Sequence, residues 1–159
     1  ADDIQVGNGR SGDFFSFERA GIQPDIVTLS KSIGGGHPMS LVLMKPELDK
    51  WSPGEHSGTF RGNNLAFVAS TTAIQHYWSD DRFENEVKEK SKLIEARMQD
   101  LALSFPHLTR DVRGHGFIWG IEFRDSDLCG AVCSECFEQG LVIETAGSES
   151  NVIKFLGPL

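Results

Sequence analysis

The feature that most restricts the fold of this chain is the order of its predicted elements. Residues 26–29 and 40–44 are short apolar runs bounded by Gly, Pro and Ser, a pattern typical of buried strands. Apolar side chains then recur at helical spacing over residues 63–78, and again from the Ser-Asp-Asp cap at 79–81 to residue 105, before Pro106. Strands followed by two long helices indicate an α/β arrangement for this part of the chain.

The C-terminal part of the sequence has shorter alternations. Residues 112–123 mix glycine with apolar and aromatic residues, which predicts a strand with tight turns. Residues 127–139 are predicted to form a helix, and residues 141–143 and 152–156 are predicted to form strands. We therefore expect a large α/β domain over residues 1–108 and the start of a smaller α+β domain over residues 109–159.

Composition narrows the class of protein. The chain has 159 residues and a formal net charge of -8, which disfavours a nucleic-acid partner because phosphates would be repelled. No run approaches the roughly 20 apolar residues of a membrane span. Three cysteines without a secretory context indicate a reducing, cytoplasmic location. The chain begins without Met and stops in a strand-to-loop passage, so we expect it to be the interior of a longer protein.

Two charged residues occupy positions where open α/β sheets place their ligands. Lys31 directly follows the apolar run 26–29, and Asp2 belongs to an Asp-Asp-Ile-Gln segment at the start of the chain. Taken singly, a lysine after a strand is far more often a surface residue, and an Asp-Asp pair is usually a turn or a helix cap. Their order in the sequence, together with the motifs around them, distinguishes them from that background.

Four segments together resemble the signature of class III pyridoxal-phosphate aminotransferases. The family pattern Asp-Glu-[Val/Ile]-Gln-x-Gly-x-Gly-Arg-[Thr/Ser]-Gly is similar to residues 2–12, with Asp3 in place of Glu. Pro-Asp-Ile and the lysine follow at residues 24–31, a Gly-Thr-Phe loop lies at 58–60, and 112–123 is similar to the strand opening the family's small domain. The resemblance implies a fold-type I large domain with a mostly parallel sheet, then an α+β small domain, and transamination between amino acids and oxo acids.

The resemblance also implies roles for individual residues, with pyridoxal 5'-phosphate as the cofactor. Lys31 would hold the cofactor as an imine and later move a proton, and Asp2 would pair with the pyridinium nitrogen. Gln5 would lie near the phenolic oxygen of the ring. Thr59 would bind the cofactor phosphate and reach into the neighbouring subunit's site, which implies a homodimer or a higher homo-oligomer.

One departure from the family concerns the substrate. Many relatives carry an arginine before a Pro-Pro-Leu run near the C-terminus, where it binds a substrate carboxylate, and the matching residue here is Lys154. Lysine offers a point charge and no bidentate fork, so it would hold a carboxylate less rigidly. Lys154 either binds the substrate or is an outward-facing strand residue.

Two alternatives for the function also remain open. The protein is another member of the family that acts on 4-aminobutyrate or acetylornithine, or it is a non-catalytic fragment.

Other patterns favour packing over chemistry. The spacing of Cys129, Cys133 and Cys136 is also used for iron–sulfur clusters, but it falls on one face of a predicted helix and indicates buried thiols. Gly7-x-Gly9-x-x-Gly12 has the spacing of a dinucleotide loop without the flanking strand and helix. The histidines lack metal-ligand spacing, so no metal site is expected. Five aromatic residues are assigned mainly to packing, with one or two at a pocket: Phe14, Phe15, Phe17, Trp51 and Phe60.

Overall fold

The computed structural model of the protein describes residues 1–159. Its strands and α-helices follow one another as β1 (Ile26–Leu29), β2 (Leu41–Met44), α1 (Asn64–Tyr77), α2 (Arg82–Ser104), β3 (Thr109–His115), β4 (Ile118–Phe123), α3 (Ser126–Glu138), β5 (Glu144–Ala146) and β6 (Val152–Phe155). The chain divides into two compact units, 1–85 and 86–159, with the division inside α2. The domain bounds expected from the sequence, 1–108 and 109–159, stay a prediction.

The first unit contains a two-stranded ribbon in which β1 pairs antiparallel with β2, from Ile26 opposite Met44 to Leu29 opposite Leu41. The mostly parallel sheet predicted for the large domain is represented in this chain only by an isolated parallel bridge between Asp2 and Thr28. β1 and β2 pair antiparallel because of the segment that connects them. It contains a 3-10 turn, Lys31–Gly34, and no crossover helix of the kind that parallel neighbours require.

Aromatic residues close the core of the first unit. Val27, Leu29 and Ile33 are buried, and they are covered by partly buried residues, namely Phe14, Phe15, Phe17 and Leu41. The rings of Phe14 and Phe15 meet edge to face with centroids 4.8 Å apart. Each buried aliphatic side chain contributes about 1.5–3 kcal/mol to stability. The packing role predicted for the three phenylalanines is thus confirmed.

Helix α1 begins where the sequence predicts it, because Asn63 caps it. The Asn63 side chain accepts hydrogen bonds from the backbone N–H groups of Leu65 and Ala66, at 3.1 and 3.3 Å. The helix lies against the turn that follows β1, where an added Cβ at Gly35 would be 2.9 Å from the Cβ of Ala69. Glycine at position 35, with φ 58°, therefore permits the close approach of helix and turn.

Helix α2 carries the charged face predicted from the sequence. Lys90 lies 3.4 Å from Glu86, and Lys92 lies 2.6 Å from Glu89, in exposed ion pairs at helical spacing. Such pairs contribute little stability but keep this face solvated. None of the helices combines the length and the apolar character that crossing a membrane demands.

The second unit is built on a four-stranded antiparallel sheet in the order β3-β4-β6-β5. Residues 112–123, predicted as one strand with tight turns, belong to two strands: β3 and β4 form a hairpin that turns at Gly116, where φ is 55°. Three buried side chains form the core, Ile121, Phe123 and Cys129, and α3 covers the sheet.

The prediction of a strand at residues 141–143 is wrong by three positions, since β5 spans Glu144–Ala146. The end of α3 explains the shift. The N–H of Gly140 donates to the carbonyl of Phe137, and the N–H of Leu141 donates to the carbonyl of Cys136, at 2.9 and 2.8 Å. These two bonds form a Schellman motif, in which the residues after the helix satisfy its last carbonyls. Leu141 and Val142 are consequently exposed and outside the sheet.

All three cysteines lie on α3, as predicted, and all are free thiols. Cys129 is fully buried in the core, and Cys133 and Cys136 are partly buried. Burial, and to a lesser extent the neighbouring Cys133, raises the pKa of the Cys129 thiol. These are the properties of small apolar packing residues and not of reactive thiolates.

Candidate active site

Lys31 lies where the sequence predicts it, immediately beyond β1. Ser30 is extended, and its hydroxyl donates to the carbonyl of Met39 at 2.8 Å; the chain then turns sharply at Lys31 into a 3-10 turn. The φ angle of Lys31 is 55°, in the left-handed region. For a residue other than glycine this conformation costs about 1–2 kcal/mol. A strained, exposed lysine held between a buried strand and a tight turn is a candidate for function.

Asp2 lies beside the same strand. Thr28 donates its N–H to the carbonyl of Ala1 at 3.0 Å and accepts from the N–H of Asp3 at 2.9 Å, so Asp2 runs parallel to β1. The Oδ1 atom of Asp2 accepts a hydrogen bond from the N–H of Ile4 at 3.0 Å, which orients an exposed carboxylate. Asp2 lies beside Thr28, and Lys31 follows Thr28 by three residues along the chain. Asp2 and Lys31 therefore belong to the same end of β1.

Gln5 is half-buried in the tight loop that follows Asp2. The loop closes on itself, since both the N–H and the hydroxyl of Ser11 donate to the carbonyl of Val6, at 3.2 and 3.0 Å. It continues into further loop and not into a helix, as expected from the sequence. Burial lowers the pKa of Arg10 in this loop, although a guanidinium remains charged at physiological pH.

Thr59 lines a cavity of about 820 Å³ in the first unit. Ser30, the residue before Lys31, lines the same cavity together with Ser40 and Arg61, whereas Lys31 itself does not. Hydroxyl groups and a guanidinium are groups that bind phosphate oxygens. The segment around Thr59 is exposed, and the side chain of Phe60 is 88% exposed. Phe60, one of the five aromatic residues, also borders this cavity.

Lys154 lies on β6 in the second unit, opposite Glu144 of β5. Its ammonium is 2.7 Å from the Glu144 carboxylate, and its side chain is 20% exposed. It also borders a cavity of about 410 Å³ together with Arg113 and Trp119. A substrate carboxylate would compete with Glu144 for this ammonium, and the role of Lys154 in substrate binding stays a prediction.

One residue that the sequence interpretation passed over is Asp3. It is fully buried, and both of its carboxylate oxygens accept hydrogen bonds from Ser16. Consecutive side chains of an extended segment point to opposite sides, so an Asp-Asp pair beside a strand is expected to bury one carboxylate and expose the other. That alternation is the signal from which Asp3 could have been found.

The chemistry of these groups fits pyridoxal phosphate. Lys31 offers an exposed primary amine, and Asp2 offers an oriented carboxylate at the same end of β1. The hydroxyl of Thr59 and the guanidinium of Arg61 lie on one exposed segment and suit an anionic ester. The four residues predicted to bind the cofactor, Asp2, Gln5, Lys31 and Thr59, all belong to the first unit.

Comparison with known proteins gives consistent matches along the whole chain. The family model of aminotransferase class III matches residues 1–159. Diaminobutyrate–2-oxoglutarate transaminases from Wolinella succinogenes and Bordetella parapertussis are 56% and 57% identical over 99% of the chain, which spans 37% of the length of each. A structure of ornithine delta-aminotransferase from Plasmodium falciparum superposes with a TM-score of 0.82 at 30% identity, covering 99% of the chain and 41% of that protein.

Proposed function

The chain belongs to the class-III aminotransferase family, and from that premise we propose that the protein transfers an amino group from L-glutamate to aspartate 4-semialdehyde. The products are L-2,4-diaminobutyrate and 2-oxoglutarate, in the biosynthesis of ectoine. The observation that carries this substrate pair is the identity of 56–57% to diaminobutyrate–2-oxoglutarate transaminases along the chain. Residues 45–49, 51–56 and 77–81 also resemble that subgroup of the family.

The proposed chemistry assigns one task to each residue. Bound pyridoxal phosphate supplies an electron-accepting ring that stabilises the substrate carbon after loss of a proton. The Nζ atom of Lys31 would hold the cofactor before the substrate binds and, once the substrate amine has replaced it, would be free to move that proton. The Asp2 carboxylate would hold the protonated ring nitrogen, Gln5 would contact the phenolic oxygen, and Thr59 would bind the phosphate. Lys154 is proposed, separately, to bind a substrate carboxylate.

The proposal includes a homodimer or larger homo-oligomer in the cytoplasm, with Thr59 contributed to the neighbouring site. The exposure of Thr59 and Phe60 supports this, because a segment so open in one chain is suited to contact another. The substrates are small amino and oxo acids.

The test uses the full-length enzyme with pyridoxal phosphate, glutamate and aspartate 4-semialdehyde, and measures diaminobutyrate by mass spectrometry. We expect Lys31→Ala to reduce turnover by about 100-fold to 10,000-fold, because it removes the group that moves the proton. Lys90→Ala, which removes an exposed lysine from α2, is the matched control and should retain full activity.

Three outcomes would contradict parts of the proposal. Near-normal turnover of Lys31→Ala would refute the role of the lysine. Turnover of 4-aminobutyrate or acetylornithine, with no turnover of diaminobutyrate or glutamate, would show that the protein is a different aminotransferase of the same family. A full-length protein that binds pyridoxal phosphate but transfers no amino group would favour a non-catalytic role.

A further inference from the structure

Asp3 is a buried carboxylate that the chemistry proposed above does not use. Its exposed fraction is 0%, and a carboxylate in such a place is destabilising unless hydrogen bonds replace its water. Ser16 supplies two: its backbone N–H donates to Oδ2 at 2.9 Å, and its hydroxyl donates to Oδ1. The side chain of Asp3 is therefore tied at both oxygens to a residue thirteen positions away.

The backbone of Asp3 is held as firmly as its side chain. Its N–H donates to the carbonyl of Thr28 on β1 at 2.9 Å, and its carbonyl accepts from the N–H of Gly7 at 3.1 Å. A Cβ added to Gly7 would lie 2.8 Å from that carbonyl oxygen, so glycine at position 7 allows this contact. Asp3 thus joins β1, the glycine-rich loop and the Ser16 turn.

This anchorage determines which way Asp2 faces. Along an extended segment, burial of one side chain directs its neighbour to the opposite side, and a slip of one residue would exchange the two. With Asp3 buried against Ser16, Asp2 is exposed, and its Oδ1 atom accepts from the N–H of Ile4, the residue after Asp3.

We infer that Asp3 and Ser16 form a positioning pair that holds the Asp2 carboxylate in the orientation needed to bind the cofactor ring. The inference rests on the proposed function, since it assigns Asp2 the ring nitrogen. Asp3 touches neither cofactor nor substrate and acts only through Asp2.

The test compares Asp2→Asn, Asp3→Asn, Ser16→Ala and Ser16→Thr in the full-length protein. Two measurements are made besides activity: the dissociation constant of the apoenzyme for pyridoxal phosphate, and the pH dependence of the absorbance of the bound cofactor. We expect Asp3→Asn to weaken cofactor binding by about 10-fold to 100-fold, the range found when residues that orient metal ligands are changed. It should also shift the pH profile in the same direction as Asp2→Asn.

The serine variants keep the inference testable where Asp3→Asn fails to fold. Ser16→Ala removes one donor and should shift the pH profile in the same direction by a smaller amount, whereas Ser16→Thr keeps the hydroxyl and should restore wild-type behaviour. Asp25→Asn changes an exposed carboxylate paired with Lys45 and is the control for loss of an ordinary surface charge.

The outcomes separate this inference from the proposed function. If Asp2→Asn impairs binding while Asp3→Asn and Ser16→Ala lower only the melting temperature, the positioning role is overturned and the proposed function stands. If Asp2→Asn itself leaves binding and the pH profile unchanged, the assignment of Asp2 is overturned, and the positioning role with it.

Discussion

Three residues other than glycine have positive φ angles, and they differ in how easily they adopt them. Asn8 has φ 57°, a conformation that asparagine tolerates, and Ser150 lies in an exposed turn. Lys31, with φ 55°, is neither asparagine nor glycine, and it begins a tight turn close behind the partly buried strand β1. Its conformation is maintained by the strand before it and the 3-10 turn after it, which ends at Gly35 in the left-handed region. Strain of this kind is retained where the surrounding structure enforces it, often at functional sites.

Gly114 gives the sharpest prediction for stability at the residue scale. A Cβ at this position of β3 would lie 2.4 Å from the carbonyl oxygen of Ile118 and 2.6 Å from the Cα of Trp119. Because both atoms belong to the backbone of the paired strand, the hairpin would have to shift. We expect Gly114→Ala to lower the free energy of unfolding of the full-length protein by about 1–3 kcal/mol, measured by urea denaturation.

Gly130 provides the control for this substitution. It lies inside α3, and an added Cβ there would meet no atom within 4 Å. Gly130→Ala should stabilise the protein by about 0.5–1 kcal/mol, since alanine is the better helix former. A destabilisation equal to that of Gly114→Ala would show that steric contact does not explain the effect at Gly114.

At the scale of elements, charged side chains connect β3 to β4. Glu122 accepts hydrogen bonds from Arg113 at 2.8 Å and from Arg110 at 3.1 Å. The hydrogen bond from Arg113 is the main cause, and that from Arg110 a further one, of a pKa of Glu122 below its usual range. In turn Glu122, and then Asp111, raises the pKa of Arg113.

The lowered pKa of Glu122 has a consequence for stability. Because the folded state holds the carboxylate ionised more strongly than the unfolded state does, its contribution is present above the unfolded pKa of about 4.3 and is lost as the pH falls through the folded value. We expect the difference in unfolding free energy between wild type and Glu122→Gln to be largest above about pH 5 and to shrink as the pH falls below the unfolded pKa.

The measurement is a series of urea denaturations of the full-length protein over this pH range. Glu149→Gln, in the exposed turn between β5 and β6, is the control and should give a difference that does not follow this course. A difference for Glu122→Gln that grows as the pH falls would mean that the arginines do not stabilise the ionised carboxylate in the folded protein.

Elements were predictable where local sequence signals agree, and less predictable where their bounds depend on contacts with a neighbouring element. The strand at residues 26–29 follows from its apolar pattern. Helix α3 follows from periodicity and from its cap, since the Asp125 side chain accepts a hydrogen bond from the N–H of Asp127. The sequence predicts one strand with tight turns where β3 and β4 form a hairpin, because the glycines mark turns but not which turn reverses the chain. The position of β5 depended on hydrogen bonds that close the end of α3.

At the scale of the whole molecule, the predicted site residues fall into two groups. Asp2, Gln5, Lys31 and Thr59 belong to the unit 1–85, whereas Lys154 belongs to the unit 86–159. Thr59 is also proposed to serve the neighbouring subunit's site, whereas Asp2, Gln5 and Lys31 are proposed to serve the site of their own subunit. That separation can be tested without a structure of the assembly.

The test is complementation between two impaired variants of the full-length enzyme. If Lys31 and Thr59 of one site come from different subunits, a mixed dimer of Lys31→Ala and Thr59→Ala carries both defects in one site and neither in the other. Random reassembly of equal amounts should then give wild-type-like sites at about a quarter of the total, by the symmetry of a two-fold dimer.

The same experiment contains its control. Mixing Lys31→Ala with Asp2→Asn should restore no activity, because those residues are proposed to lie in one subunit's part of the site. Activity no greater than the average of the two parent variants, after unfolding and reassembly of Lys31→Ala with Thr59→Ala, would refute a site shared through Thr59.

The sequence by itself determined the order of the elements, the place of Lys31 after a buried strand, and membership of the family, because periodicity, caps and an ordered set of motifs are local properties of the chain. Only the tertiary structure decided that the strands pair antiparallel, that Lys31 adopts a strained backbone, and that Asp3 is buried against Ser16 while Asp2 stays exposed. The physical reason is that pairing, strain and burial depend on contacts between residues distant in sequence. Whether a carboxylate faces water or a serine is settled only when those contacts form.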